Sequence, residues 1–188
     1  MPHRHRSYPQ FSACGLQCGL CPRYHTAGIS KCPGCAGDGF DAKHPTCGVL
    51  SCSQCKEIEF CYQCEAFPCK KYDNAEQFDS FITHRHQIKD MRKSEAMGIA
   101  AFSNELDEKT SILEELLKNY DDGRRKSFFC TALTLLALRD VKEALSRLTA
   151  ETRPEQPVKA RAAAAVHLFQ MMAEEQGISL KLRKRAKQ

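Results

Sequence analysis

Residues 14–22 read CGLQCGLCP, which places Cys14, Cys18 and Cys21 at C-x3-C-x2-C spacing just before Pro22. What these thiols do decides what holds this part of the chain together. Reading outward, the two-residue gap recurs in the pairs Cys18/Cys21, Cys32/Cys35, Cys52/Cys55 and Cys61/Cys64, with Cys47 and Cys69 nearby. Of the twelve cysteines, all but Cys130 lie between Cys14 and Cys69. A two-residue gap lets a tight turn aim both sulfurs at one ion, with backbone N–H groups directed at the thiolates, and a second pair completes a tetrahedron. Pro33 and Gly34 inside CPGC suit such a knuckle. His25 and His44 add nitrogen donors, and His44 with Cys47 imitates the same spacing as H-x2-C.

The surrounding composition explains why a staple is needed. Large apolar residues in this region stand singly (Phe11, Leu16, Leu20, Phe40, Leu50, Phe60), among glycines and prolines, without helical or strand period. So small a segment cannot bury enough surface to offset its chain entropy. Bound metal can, since structural zinc contributes roughly 10–16 kcal/mol in small peptides. The expected fold class is a small, metal-stapled, Cys-rich irregular N-terminal module followed by an all-α C-terminal helical bundle. The boundaries expected are a flexible N-terminus over 1–11, the Cys-rich module over 12–72, a helical domain over 73–178 and a basic tail over 179–188.

The second half carries the 3.6-residue period of amphipathic helices. Asn74, with Gln77 three residues on, spells a capping box that opens a helix toward Met97, and Gly98 ends it. Leu106, Leu113, Leu116, Leu117 and Tyr120 line one face of the next helix, with Gly123 beyond its end. Phe129, Leu133, Leu136, Val141, Leu145 and Leu148 track one side of a single long helix. TRPEQP is a linker, and an alanine-rich helix closes at Gly177. Met171, Met172, His167 and Cys130 read as packing residues, and His84 and His86 fall on nearly opposite helix faces.

Net charge is +5, concentrated in the tail LKLRKRAKQ and the start PHRHR. The tail is expected to be solvated and frayed. The mixed charge between the ends argues against a dedicated nucleic-acid binder, leaving nucleic-acid contact as the weakest partner expectation beside an unspecified protein partner. No charged-then-apolar leader opens the sequence, and the longest apolar stretch, FFCTALTLLAL, falls short of the ~18 residues a membrane helix needs. A cytoplasmic protein without a membrane span is therefore expected, and in that compartment a disulfide framework is disfavoured.

Two metals satisfy the donors: Zn2+, the first expectation, and [4Fe–4S], which also takes thiolates in short C-x2-C runs followed by proline. Catalysis is not expected. The C-x3-C-x2-C spelling is the one radical S-adenosylmethionine enzymes use, but the alternating βαβ pattern those enzymes need is missing. Neither H-E-x-x-H nor the deaminase H-x-E…C-x-x-C signature is present.

Taken in order, CGLQCGLCPRY, KCPGC, HPTCGVLSC and EFCYQCEAFPCKKY resemble the prokaryotic Cys-rich family catalogued as domain of unknown function 3795, over about residues 12–72. The later DDGRRKSFFCTALTLL is similar to a segment in longer members, which puts Cys130 in a recurring setting. The resemblance implies zinc or iron–sulfur binding without an established activity. It also implies a donor set of Cys14, Cys18, Cys21, Cys32, Cys35, His44, Cys47, Cys52, Cys61, Cys64 and Cys69, with His44 a departure from the family's cysteine pattern and Cys55 an extra.

Overall fold

Left-handed glycines and the apolar period set the helices of the second half. In the computed structural model, which describes residues 5–184, these are α2 (Gln87–Met97), α3 (Ile99–Asn119), α4 (Lys126–Leu135), α5 (Leu138–Glu151) and α6 (Val158–Glu175). Gly98 at φ 83° turns the chain from α2 into α3, and Gly123 and Gly177 adopt the same left-handed region beyond the ends of α3 and α6. Leu106, Leu113, Leu116, Phe129, Leu133, Val141, Leu148 and Phe169 are buried, as the stripes require. In the first half, α1 (Gly48–Cys55) is the one α-helix, and short 3-10 turns carry most of the rest. The described residues contain no strand.

Helix boundaries differ from expectation at two places. The helix foreseen from Asn74 begins only at Gln87. Asn74 sits at φ 59°, and the Asp79 carboxylate accepts from the His84 backbone N–H (2.8 Å) and the Thr83 hydroxyl (3.1 Å), fixing a side-chain-bonded loop where a helix would need those groups. Phe78 and Phe81 are accordingly 39% and 45% exposed instead of buried on a stripe. The long helix expected over 124–148 is broken at Leu136, whose extended backbone separates α4 from α5. Its freed carbonyl accepts from Lys109 Nζ at 2.8 Å.

One apolar cluster runs through both halves. Phe11, Leu20 and Phe60 from the Cys-rich region pack with Met91, Phe102, Leu106, Leu113, Phe129 and Phe169. The Phe11 ring lies 4.6 Å from that of Phe102 and 5.5 Å from that of Phe60. Gly15 permits this approach: at φ 95°, an added Cβ would stand 2.3 Å from the Gln87 carbonyl oxygen. A smaller satellite of Ala13, Cys35, Ala36, Phe40 and Leu50 lies within the Cys-rich region itself.

Residues 5–11 and 179–184, expected as a flexible start and a frayed tail, are held. Arg6 is 5% exposed, donates to the carbonyls of Phe11 (2.7 Å) and Glu59 (3.0 Å), and stands over the Phe60 ring. The Asp79 N–H donates to the Arg183 carbonyl (2.7 Å), the Arg183 N–H donates to the Asp79 carboxylate (2.8 Å), and Arg85 donates to the carbonyls of Ser179 and Lys181. The basic residues of 1–4 and 185–188 lie outside the described residues.

Burial alone would raise the Asp79 pKa. The hydrogen bonds from Arg183, His84 and Thr83, with the charge of Arg85, hold it below the usual carboxylate value instead. The sign follows: a depressed folded pKa gives stability that is complete above the unfolded value of about 3.9 and is lost as pH falls through the folded one. Amide exchange at residues 180–184 should therefore stay slow at neutral pH and accelerate below about pH 4, ahead of exchange in α3. Uniform acceleration across both segments would rule out a local acid release.

Candidate metal centre

Two of the four C-x2-C gaps fold as tight turns, and Cys52/Cys55 lies instead within α1. The chain makes 3-10 turns at Cys18–Leu20 and Cys61–Gln63, closed by the Cys21 N–H on the Cys18 carbonyl (3.1 Å) and the Cys64 N–H on the Cys61 carbonyl (3.0 Å). Such a turn brings the two sulfurs of a pair to one side. In the Cys32/Cys35 pair, Gly34 takes φ 87°, and the Cys35 N–H donates to the Pro9 carbonyl at 2.7 Å. A Cβ at Gly34 would lie 2.3 Å from that carbonyl oxygen, so the knuckle closes only with glycine there. Backbone N–H groups point at sulfur in several places: Leu16 at Cys14, Arg23 and Tyr24 at Cys21, Ala13 at Cys35, and Ala66 at Cys64.

Cysteines far apart in sequence are gathered around two cavities. The larger, about 360 Å³, is lined by Cys14, Cys18, Cys21, Cys32, Cys35 and Cys47 together with His44. Phe40, Phe81 and Ile82 supply apolar wall. The smaller, about 90 Å³, is lined by Cys52, Cys61, Cys64 and Cys69, with Phe67 and Tyr72 beside them. Among the described residues, no three His, Cys, Asp or Glu side chains converge tightly enough to hold one metal ion as they stand. The thiols ring their cavities instead of meeting at a point.

Electrostatics follow from that crowding. Burial raises the Cys14 and Cys21 thiols, carries Cys18 well above its ordinary value, and pushes Cys35 and Cys61 up to about 11. Cys18 is raised further by Cys35, Cys14, Cys21 and Cys32 around it. Cys64 is the exception: the Ala66 N–H and the Lys56 ammonium, 3.3 Å from its sulfur, lower it. Metal ligation requires thiolates, so a cation entering the larger ring has to displace protons that burial holds more firmly than usual, and its own charge then offsets the mutual repulsion of the thiolates it leaves.

Of the residues singled out in the sequence, Cys55 lines neither cavity and is exposed at the end of α1. His25 gives its ring nitrogen Nε2 to the Gly19 carbonyl at 2.7 Å, away from the sulfurs. His44 stacks on Phe40 at 4.6 Å, and its Nδ1 lies 2.8 Å from the Pro45 carbonyl, leaving Nε2 as the nitrogen that could serve the larger ring. Cys130 is 2% exposed in the shared core, close enough to Cys21 for each charge to affect the other. Sequence reading missed Tyr72, whose hydroxyl reaches both the Cys61 sulfur and the Cys14 carbonyl and so ties the two rings together. It also missed Gln87, whose side chain reaches the Cys14 sulfur from α2. Neither carries a spacing signal; both meet the sulfurs through tertiary contact.

Residues 10–74, the stretch containing every lining cysteine, match the family described as Protein of unknown function (DUF3795). The match stops short of the helical segment at 121–136. No curated protein and no solved structure is significantly similar to the chain.

Proposed function

We propose that the DUF3795 domain of this chain, residues 10–74, is a metal-binding module with two thiol sites, and that the helical half is the surface it stabilises for a partner. The observation that carries this reading is the sorting of the cysteines: Cys18, Cys21, Cys32 and Cys35 gather at one cavity, and Cys52, Cys61, Cys64 and Cys69 at the other. Cys14, Cys47 and His44 complete the rim of the first. Thiols with no shared ligand have no reason to gather six at one cavity and four at another, whereas soft cations take four such donors.

Zinc suits the smaller, all-thiol ring, where a closed tetrahedral site is structural. A second reading, an iron–sulfur cluster, is favoured at the larger ring by its volume of about 360 Å³ and its apolar wall, which leave room for more than one atom. Purification without oxygen, followed by metal and sulfide analysis, tests both. Zinc near stoichiometry in a colourless protein supports the first. Matched iron and acid-labile sulfide in a brown protein supports the second. A protein free of both metals, with its cysteines fully reactive toward alkylation, overturns metal binding altogether.

A further inference from the structure

Away from the sulfurs, a cavity of about 340 Å³ lies where the Cys-rich region meets the helices, and it is lined by charges the fold has buried. Lys109 on α3 is 5% exposed and Asp90 on α2 is 6% exposed. Lys109 spends one N–H on the Leu136 carbonyl, and Asp90 accepts from Gln17 Nε2 at 2.7 Å through one oxygen. Two donors of the ammonium and one carboxylate oxygen are thus uncommitted beside open space. Lys93 at the rim is already paired with Glu105 at 2.5 Å, whereas Lys89 is exposed and has no such partner among the described residues. His86 completes the titratable lining.

Keeping these charges costs the fold stability. Burial pushes Asp90 up to about 6 and Lys109 down to about 8, so each is harder to ionise here than in the unfolded chain. Uncommitted buried charges of opposite sign beside open space are the arrangement a ligand carrying both charges would satisfy. A purely anionic ligand would meet the Asp90 carboxylate, and a purely cationic one would meet Lys109 and Lys89. The volume is at the small end of ligand pockets.

We propose that this cavity binds a small zwitterion of amino-acid size, its carboxylate received by Lys109 and Lys89 and its ammonium by Asp90. Gln17, next to Cys18 in sequence, holds Asp90 in place, so the site is built jointly by the Cys-rich region and the helical half.

Calorimetric titration and thermal melts of the full-length, metal-loaded chain test this, with L-serine, L-alanine and L-glutamate as zwitterions and acetate, ethylamine and inorganic phosphate as single-charge probes. At least one zwitterion should bind about tenfold more tightly than acetate or ethylamine. Asp90→Asn keeps an acceptor for Gln17, and it should weaken that binding about tenfold while leaving the melting temperature of the free protein at pH 7 unchanged or higher. Lys89→Gln, on the exposed rim, should weaken binding without changing the melt, and it remains informative if Lys109→Met does not fold. Three results overturn the proposal: no zwitterion binding at millimolar concentration, acetate or phosphate binding as tightly as the best zwitterion, or zwitterion binding indifferent to Asp90→Asn.

Discussion

If residues 10–74 hold metal as proposed, stripping it from the full chain with a strong chelator should melt the helices together with them, in one transition. The reason is the continuity of the core. Phe11 and Leu20, both 0% exposed, and Phe60, 2% exposed, belong to the same cluster as Leu113, Leu133 and Phe169. If the Cys-rich region loses its staple, those three side chains leave the cluster and α3 loses the surface it packs on. A structural zinc site contributes roughly 10–16 kcal/mol, against a total stability of about 5–15 kcal/mol for an ordinary domain, so the metal-free chain should not stay folded at room temperature. Far-UV circular dichroism recorded during titration with the chelator measures this. A helical signal that survives full metal release would mean the second half folds alone.

Phe11→Ala should be the most damaging single substitution outside the thiol rings, lowering stability by about 3–5 kcal/mol. Its ring contacts Phe60 on one side and Phe102 on the other, so its removal leaves a void at the seam where neither half can easily close over it. Phe81→Ala provides the matched comparison. Phe81 is 45% exposed, and its loss should cost far less. Urea denaturation of the two variants separates the cases; equal midpoints would show that the seam carries little of the stability.

Much of this was legible beforehand. The C-x2-C spacing picked out Cys18, Cys21, Cys32, Cys35, Cys52, Cys61 and Cys64 of the two rings, because a two-residue gap constrains local geometry regardless of the rest of the fold, but it also picked out Cys55, which lines neither. Apolar period named α3 and the stretch that carries α4 and α5, though as one helix, because their buried faces repeat over several turns; α6 was legible in its alanine-rich run. The gathering of Cys14 and Cys47 at one cavity, and of Cys52 with Cys69 at the other, was not legible, since it depends on contacts between segments that no local spacing encodes. The helix start misplaced at Asn74 has the same origin. Its capping spelling is genuine, yet Asp79 and Arg183, more than a hundred positions apart, commit that loop to another conformation. Lys109 did leave a trace. It interrupts the apolar series Leu106, Leu113 and Leu116 on the buried face of α3, and a lysine at such a position is a signal of a polar cavity or a carbonyl partner.

The seam also bears on how the chain comes into being. A ribosome releases residues 10–74 well before α3 and α4, the elements against which Phe11 and Leu20 pack, have been made. During that interval eleven thiols and several bare aromatic faces are presented together, without the wall that will cover them. Early capture of metal by the emerging segment would shield the sulfurs from oxidation and hold the aromatic residues near their final places until the helices arrive. On the proposed reading, the order of the two halves along the chain would make the metal a scaffold for synthesis as well as for the finished protein.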